Sequence, residues 1–364
     1  MSSPSRPLVH VVGARPNFVK AAPVIRALAS RGIAQLVVHT GQHHHESMSE
    51  IFFRDLGLAR PDVQLKVGAG TYGRRLGRLL VALERAIHRL APPLVVIYGD
   101  VDSTLAAALV SRRLQVPIAH VEAGLRSFDP QMPEEINRRV ADMLSELLFA
   151  TSPEALDNLA AEGIESARVH HVGNPMIDSL LSNLDRLDAP VARARLGLGE
   201  RYAVATIHRP ANVDQPLAAA RVVHALSSAA ALIPVVVPVH PRGRRNLYAA
   251  GLRRVVGLTV LAPLGYVDFL SLVSGAAVVI TDSGGVQEET SVLGVPCLTV
   301  RPNTERPITL SHGTNRLVTL EELAEAVRST LDNPQPRPAA PALWDGHAGE
   351  RIADNIAAWL SMRA

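Results

Sequence analysis

Three carboxylates stand where an α/β chain could use them for acid–base chemistry: Asp100, Glu122 and Glu134. The first two each follow a short apolar run, residues 94–98 and 117–121, and an alanine- and leucine-rich helical stretch, 103–114, separates the runs. Strand, helix, strand is a βαβ unit, which delivers the carboxyl ends of two parallel strands to one crevice. Asp100 and Glu122 are therefore expected near each other, with Glu134 and Glu135 opening the next helix after a proline-containing loop. Carboxylates that sense one another split their pKa values, which suits acid and base roles in one site. For Asp100 alone, capping of the following helix competes with catalysis, and Pro133-Glu134-Glu135 is also ordinary first-turn chemistry. Glu122 is harder to assign to structure alone, because a carboxylate ending an apolar strand requires a partner or a ligand.

A second set of residues suits anion binding. Ser283-Gly284-Gly285 follows an apolar run and opens a helix. Without β-carbons in the way, backbone N–H groups and the helix dipole can meet a phosphate there. A sharp turn that needs glycine for steric reasons is the plainer alternative, but Arg301 and Arg306 beyond the next strand favour the anion. Glu288 or Glu289, a turn into that helix, could accept hydrogen bonds from ribose hydroxyls. Gly13-Ala14-Arg15-Pro16-Asn17 repeats the strand–turn–helix arrangement near the start, where Arg15 and Lys20 supply charge. His208-Arg209 and His240-Pro241 end two further apolar runs, with Arg242, Arg244 and Arg245 close behind. His43-His44-His45 invites a metal, but adjacent side chains diverge and no Cys or carboxylate cluster accompanies them. Gln42 and these histidines are better read as ligand-contacting or solvated. Gly68-Ala69-Gly70-Thr71-Tyr72-Gly73 matches a dinucleotide-binding pattern, yet the strand before it is doubtful and no acidic residue follows at the required distance. A loop leading into a helix at 75–89 accounts for it better.

The elements that must position these groups alternate along the whole chain. Apolar runs at 8–12, 34–39, 94–98, 117–121, 147–150 and 169–172 interleave with helical stretches, and the pattern restarts at 202–207. Such alternation predicts parallel sheets covered on both faces. Residues 182–190 are polar with a proline and form the candidate linker, 333–343 a proline-rich loop, and 348–360 a terminal amphipathic helix. Two domains are expected, 1–182 with the last helix (348–364) and 183–347. The 364 residues are 47% hydrophobic and 20% charged with a net charge of +3, a composition for a folded core and against disorder. Lys20 and Lys66 are the only lysines and aromatic residues are 4%, which disfavours nucleic acid and favours isolated arginines facing a diphosphate. Cys297, the single cysteine, excludes an intramolecular disulfide and lies in an apolar run as a buried structural residue. No apolar run reaches the length of a membrane span, so a soluble cytoplasmic protein is expected.

Taken in order, these motifs resemble those of the non-hydrolysing UDP-N-acetylglucosamine 2-epimerases. The matching residues are Gly13-Ala14-Arg15-Pro16, Thr40-Gly41-Gln42-His43, Gly99-Asp100, His120 to Arg126, Pro133 to Arg138, Gly173-Asn174, His208-Arg209, Pro238-Val239-His240, Asp282 to Glu289 and Thr304 to Pro307. The resemblance covers residues 8–318. It implies two Rossmann-like domains facing each other across a cleft, as in GT-B glycosyltransferases, with the last helix returning to the first domain. It implies that Ser283, Gly284 and Gly285 hold diphosphate, that Glu289 holds ribose and that Phe269 packs near uracil. Arg15, Lys20, Arg138, His208 and Arg306 would line the cleft, and Asp100, Glu122 and Glu134, with His208, would carry the catalysis. A second UDP-N-acetylglucosamine would bind at Gln42, His43, Arg209 and His240 as an activator. No cofactor or metal is implied, and a homodimer is. Asn17, where many members have Glu, and a short loop between Glu122 and Glu134 depart from the pattern and bear on the sugar's decoration. A hydrolysing epimerase, an epimerase of a related UDP-2-acetamido sugar, a GT-B glycosyltransferase and a sensor without turnover are the alternatives.

Overall fold

Runs of Val, Ile, Leu and Ala too apolar to face water on either side become the strands of two parallel sheets. The computed structural model describes residues 6–41, 51, 53–68, 70–334 and 339–363. Two compact units divide the chain, 1–182 with 342–364, and 183–341.

The first unit holds seven strands: β1 (Leu8–Val12), β2 (Gln35–His39), β3 (Val63–Gln64), β4 (Val95–Tyr98), β5 (Ile118–Ala123), β6 (Leu147–Ala150) and β7 (Val169–His171). Their order is β3-β2-β1-β4-β5-β6-β7, and every pairing is parallel. The order reverses between β1 and β4, the switch point where such sheets open a crevice at the strands' carboxyl ends. Tyr98 pairs with Val121, so Gly99 and Glu122 emerge side by side. Between β5 and β6 the register slips at Val121/Ala123, and the residue in the slip is Glu122, at φ +70°. A bulge of this kind re-aims a side chain and ends the pairing.

The helix after β1 runs Arg15–Ser30, beginning at the Arg-Pro pair because proline's fixed φ suits a first turn. The helix after β3 runs Tyr72–Leu90, starting inside the Gly68–Gly73 motif and before the expected residue 75, and β3 itself is only two residues long. The helix after β4, Asp102–Arg113, has Val101 at its cap position, with no side-chain cap from that residue.

The second unit restarts the same plan with β8 (Ala203–Thr206), β9 (Val235–Pro238), β10 (Leu258–Leu261), β11 (Val278–Thr281), β12 (Cys297–Val300) and β13 (Asn315–Val318), ordered β10-β9-β8-β11-β12-β13. Side chains alternate across this sheet. Ala203, Ala205, Val235, Val237, Val278 and Ile280 pack into one cluster, while Val204, Val236 and Val279 pack into another on the opposite face. Cys297 is fully buried, and burial pushes its thiol up to about 11.

The terminal segment belongs to the first unit, and it joins at Ala342 rather than at the expected 348. Trp344 accounts for the difference: its ring is buried and its Nε1 donates to the Thr151 carbonyl at 3.1 Å. Asp178 then accepts from the N–H groups of Ala348 (3.2 Å) and Gly349 (2.6 Å), which open the helix Ala348–Ser361. A β-carbon at Gly349 would stand 2.8 Å from the Pro23 backbone, so this glycine sets how closely the last helix approaches the first. Among the described residues no helix is long and apolar enough to cross a membrane.

Candidate active site

In the first unit the strand ends converge as the βαβ reading expected. Lys20, one turn into the helix Arg15–Ser30, reaches back so that its Nζ lies 2.7 Å from Glu122 Oε2, with the two side chains 4% and 1% exposed. Lys20 is thus engaged by a carboxylate at the site rather than standing as an open phosphate ligand. A β-carbon on Gly99 would be 2.9 Å from that Nζ and 3.5 Å from Glu122 Oε1, and Gly99 sits at φ +62°, so only glycine lets the β4 turn pass this pair. Asn17 braces the turn from beneath. Its amide donates to the Tyr98 carbonyl (2.8 Å), and its oxygen accepts from Gly13 and Ala14 N–H (3.1 and 3.0 Å).

Asp100 is held from the helix Pro133–Leu144: Arg138, fully buried, pairs with its carboxylate, and Asn137 donates to its backbone carbonyl at 2.9 Å. Asp100 stands one residue before Val101, the cap position of the helix Asp102–Arg113. Asp100 keeps 20% of its side-chain surface exposed, enough for a ligand to reach. Glu135 turns inward and accepts from Ser127 N–H and Oγ (2.8 and 3.0 Å), which folds the loop before the helix. Glu134 is half-buried on the same helix, one turn ahead of Arg138 and so on the same side of it. The Arg15 side chain, Gln42 and His43 lie outside what the structure describes.

In the second unit Asp282, which the sequence reading named only within a motif, proves to be the organiser. It is fully buried past the end of β11 and accepts from the N–H groups of His208 (3.0 Å) and Arg209 (2.8 Å) and from Asn212 Nδ2 (2.9 Å). His208 Nδ1 lies 2.9 Å from Asp282 Oδ1, so one carboxylate orients both the β8 turn and the imidazole. Burial alone would raise the Asp282 carboxyl, but His208, Asn212 and the Arg209 amide outweigh it and hold it below the usual range. The His208 ring packs against that of His240 at 5.3 Å between centroids, and His240 Nδ1 caps its own helix by accepting from Arg242 N–H at 3.2 Å.

Glu305, like Asp282, enters the sequence analysis only as part of a motif, Thr304 to Pro307. It receives Arg301 (2.7 Å), Arg209 (3.1 Å) and Arg306 (3.6 Å). Burial opposes its ionisation, yet the three guanidinium groups prevail and keep it well below the ordinary carboxylate range. Arg306 also binds Glu288 at 3.0 Å and lies against the first turn of the helix Gly284–Leu293, where a β-carbon on Gly284 would collide with its guanidinium. Glu288 and Glu305 offset the cost of a cation beside the positive end of a helix. The structure separates the two glutamates left open by sequence: Glu288 is paired with Arg306, whereas Glu289 faces the Tyr266 hydroxyl. Burial, with Glu288 nearby, pushes the Glu289 carboxyl up to about 8. Phe269 is half-buried on the helix Tyr266–Ser274 and packs against the second unit's core.

Comparison with known proteins places this arrangement. The sequence profile of the UDP-N-acetylglucosamine 2-epimerase family matches residues 26–357. A UDP-2,3-diacetamido-2,3-dideoxy-D-glucuronate 2-epimerase of Pseudomonas aeruginosa is 40% identical, over 96% of this chain and 99% of that protein. The UDP-N-acetylglucosamine 2-epimerase of Methanocaldococcus jannaschii is 38% identical, over 94% of this chain and 96% of its own. The crystal structure of the latter in complex with UDP-GlcNAc and UDP superposes with a TM-score of 0.90 at 38% identity, covering 96% of this chain and 99% of that one. The chain belongs to the UDP-N-acetylglucosamine 2-epimerase family.

Proposed function

We propose that this protein interconverts UDP-N-acetylglucosamine and UDP-N-acetylmannosamine by epimerisation at C2. The observation that carries the reading is the pair of carboxylates at the ends of neighbouring strands, Asp100 and Glu122, each held by a buried cation, Arg138 and Lys20. The C2 proton of a glycosyl nucleotide is not acidic, because no carbonyl adjoins that carbon. Elimination solves the problem: the C1–O bond to UDP breaks as the C2 proton leaves, giving a 2-acetamidoglucal and UDP. UDP then adds back at C1 while a proton arrives at C2 from the other face. Asp100, Glu122 and Glu134 are the proton-transfer groups of the first unit, and Arg15, Lys20 and Arg138 set the charge around them.

The second unit holds the nucleotide. The N–H groups of Ser283, Gly284 and Gly285 and the Arg306 guanidinium take the diphosphate, whose negative charge grows as the bond to C1 breaks. His208, its Nδ1 engaged by Asp282, stabilises the same departing oxygen. Glu289 takes the ribose and Phe269 the uracil. Gln42, His43, Arg209 and His240 form an activating site for a second UDP-N-acetylglucosamine, and the protein works as a homodimer in the cytoplasm. Turnover in deuterated water tests the reading: NMR should show deuterium at C2 of both epimers with no free hexosamine. Stoichiometric release of UDP and N-acetylmannosamine would make the protein a hydrolysing enzyme instead.

A second reading concerns the sugar alone. The Pseudomonas aeruginosa relative, at 40% identity over nearly the whole chain, is a 2-epimerase of a diacetamido glucuronate. The same elimination applies to that substrate. Comparing kcat/KM for the two sugar nucleotides decides between them.

A further inference from the structure

Beneath the two carboxylates lies a buried polar pair that the proposed reaction does not use. His120, on β5 two residues before Glu122, is fully buried, as is Asp142 on the helix Pro133–Leu144. His120 Nδ1 stands 2.6 Å from Asp142 Oδ1, and His120 Nε2 stands 2.8 Å from the Gly99 carbonyl. Both ring nitrogens therefore face acceptors. The other oxygen of Asp142 accepts from Gly124 N–H at 3.1 Å and from Arg126 at 2.8 Å, and Arg126 in turn is clamped by Glu162. Burial works against an ionised Asp142, but His120 and Arg126 outweigh it and keep its carboxyl low.

The connections have a direction. Gly99 is the residue before Asp100, and Gly124 comes two after Glu122. The pair thus ties the turn that carries one carboxylate to the bulge that carries the other. The helix that supplies Asp142 also supplies Arg138, which grips the Asp100 carboxylate, and Asn137, which grips its carbonyl. Gly124, at φ +81°, is packed so that a β-carbon would collide with the Ala155 carbonyl, so the far side of the bulge is fixed as well. A core that only needed filling would use apolar side chains here. A hydrogen-bonded pair instead fixes distances and angles between the strand ends.

We propose that His120 and Asp142 are positioning residues for proton transfer: the pair sets the separation and aim of Asp100 and Glu122 without touching substrate. The inference rests on the epimerase reading and deepens it. Misplacement of a reacting group by about 1 Å can cost about 100-fold in rate.

The test compares His120→Asn, His120→Gln and Asp142→Asn with the parent protein in C2 deuterium exchange and in UDP binding. Asparagine keeps a polar group near the Nδ1 position and abandons Gly99; glutamine keeps one near Nε2. The expected result for His120→Asn and Asp142→Asn is a kcat lower by about 100-fold, with KM and UDP affinity within a few-fold. His120→Gln should recover a substantial part of kcat, which a role in stability alone would not require. Folded variants with parental kcat and a lowered melting temperature would overturn the inference and leave the pair a core filler. Failure of all three to fold would likewise overturn it, making the pair a folding determinant. A parent that does not exchange the C2 proton would remove the epimerase reading itself, which is a distinguishable failure.

Discussion

At Glu122 a charge enters a site that is 1% exposed on a backbone with positive φ, two costs at one residue. Non-glycine residues tolerate that conformation chiefly where the surroundings hold them, as active sites do. Lys20 is the compensation, and removing one member of a buried pair costs about 3–5 kcal/mol. Glu122→Gln should therefore be destabilised by a few kcal/mol as well as slowed by about 100-fold or more. The double variant Lys20→Met/Glu122→Gln should regain much of the stability and none of the rate, as urea melts and deuterium exchange would show. Asp100→Asn, at a more exposed position, should lose rate by a similar factor while UDP affinity stays within a few-fold. His10 makes a separate prediction about pH. It lies buried between Tyr98 and Gln35, and burial lowers its pKa from 6.5 to about 4. Unfolded chains take up that proton near pH 6.5 and the folded one does not until about pH 4, so the unfolded state binds more protons between them. Stability then falls as pH drops through this window, by about 3 kcal/mol in all. Denaturant melts at pH 7.5 and 4.5 should show the loss in the parent and a flatter dependence in His10→Gln.

The helix Gly284–Leu293 shows at the level of an element why some of the site was legible beforehand and some was not. Its glycines follow an apolar run and precede a helical stretch, and those local signals identify a glycine turn opening a helix, the arrangement proposed above to take phosphate. That Arg306 lies over Gly284, and that Glu288 rather than Glu289 holds it, depends on how the loop after β12 folds back. No local pattern encodes that return. The same holds for β5. Its apolar run and terminal Glu were visible, but the bulge at Glu122, the reach of Lys20 and the Asp142 beneath His120 arise from register and from partners distant in sequence. Asp282 was hidden because it reads as the residue before Ser-Gly-Gly, whereas its bonds go to the β8 turn. Gly284→Val puts a branched side chain where the guanidinium now lies, displacing Arg306 and closing the turn to phosphate. Calorimetry should find UDP affinity reduced by at least about 10-fold, the cost of one lost charge-assisted contact, in a variant whose melting curve remains cooperative. Unchanged affinity would place the nucleotide elsewhere.

Across the whole molecule the two units repeat one construction: parallel strands ordered around a switch point, with the polar groups gathered at the carboxyl ends. The halves were visible as two runs of strand–helix alternation. The return of the last helix to the first unit was expected too, but its starting point at Ala342 was not, because that turns on Trp344 finding the Thr151 carbonyl and Asp178 capping the last helix. The proposed division of labour follows the units, with carboxylates paired to buried cations in one and a helix terminus ringed by arginine in the other. In the proposed reaction the bond between sugar and UDP is broken and remade during each turnover. The most direct measurement of that claim uses UDP-N-acetylglucosamine carrying ¹⁸O in the bridge between C1 and the β-phosphorus. During turnover the label should move into the non-bridging oxygens of the β-phosphate, at a rate comparable with C2 deuterium exchange, since freed UDP can rotate before it re-adds. Epimerisation with the label still confined to the bridge would contradict the account.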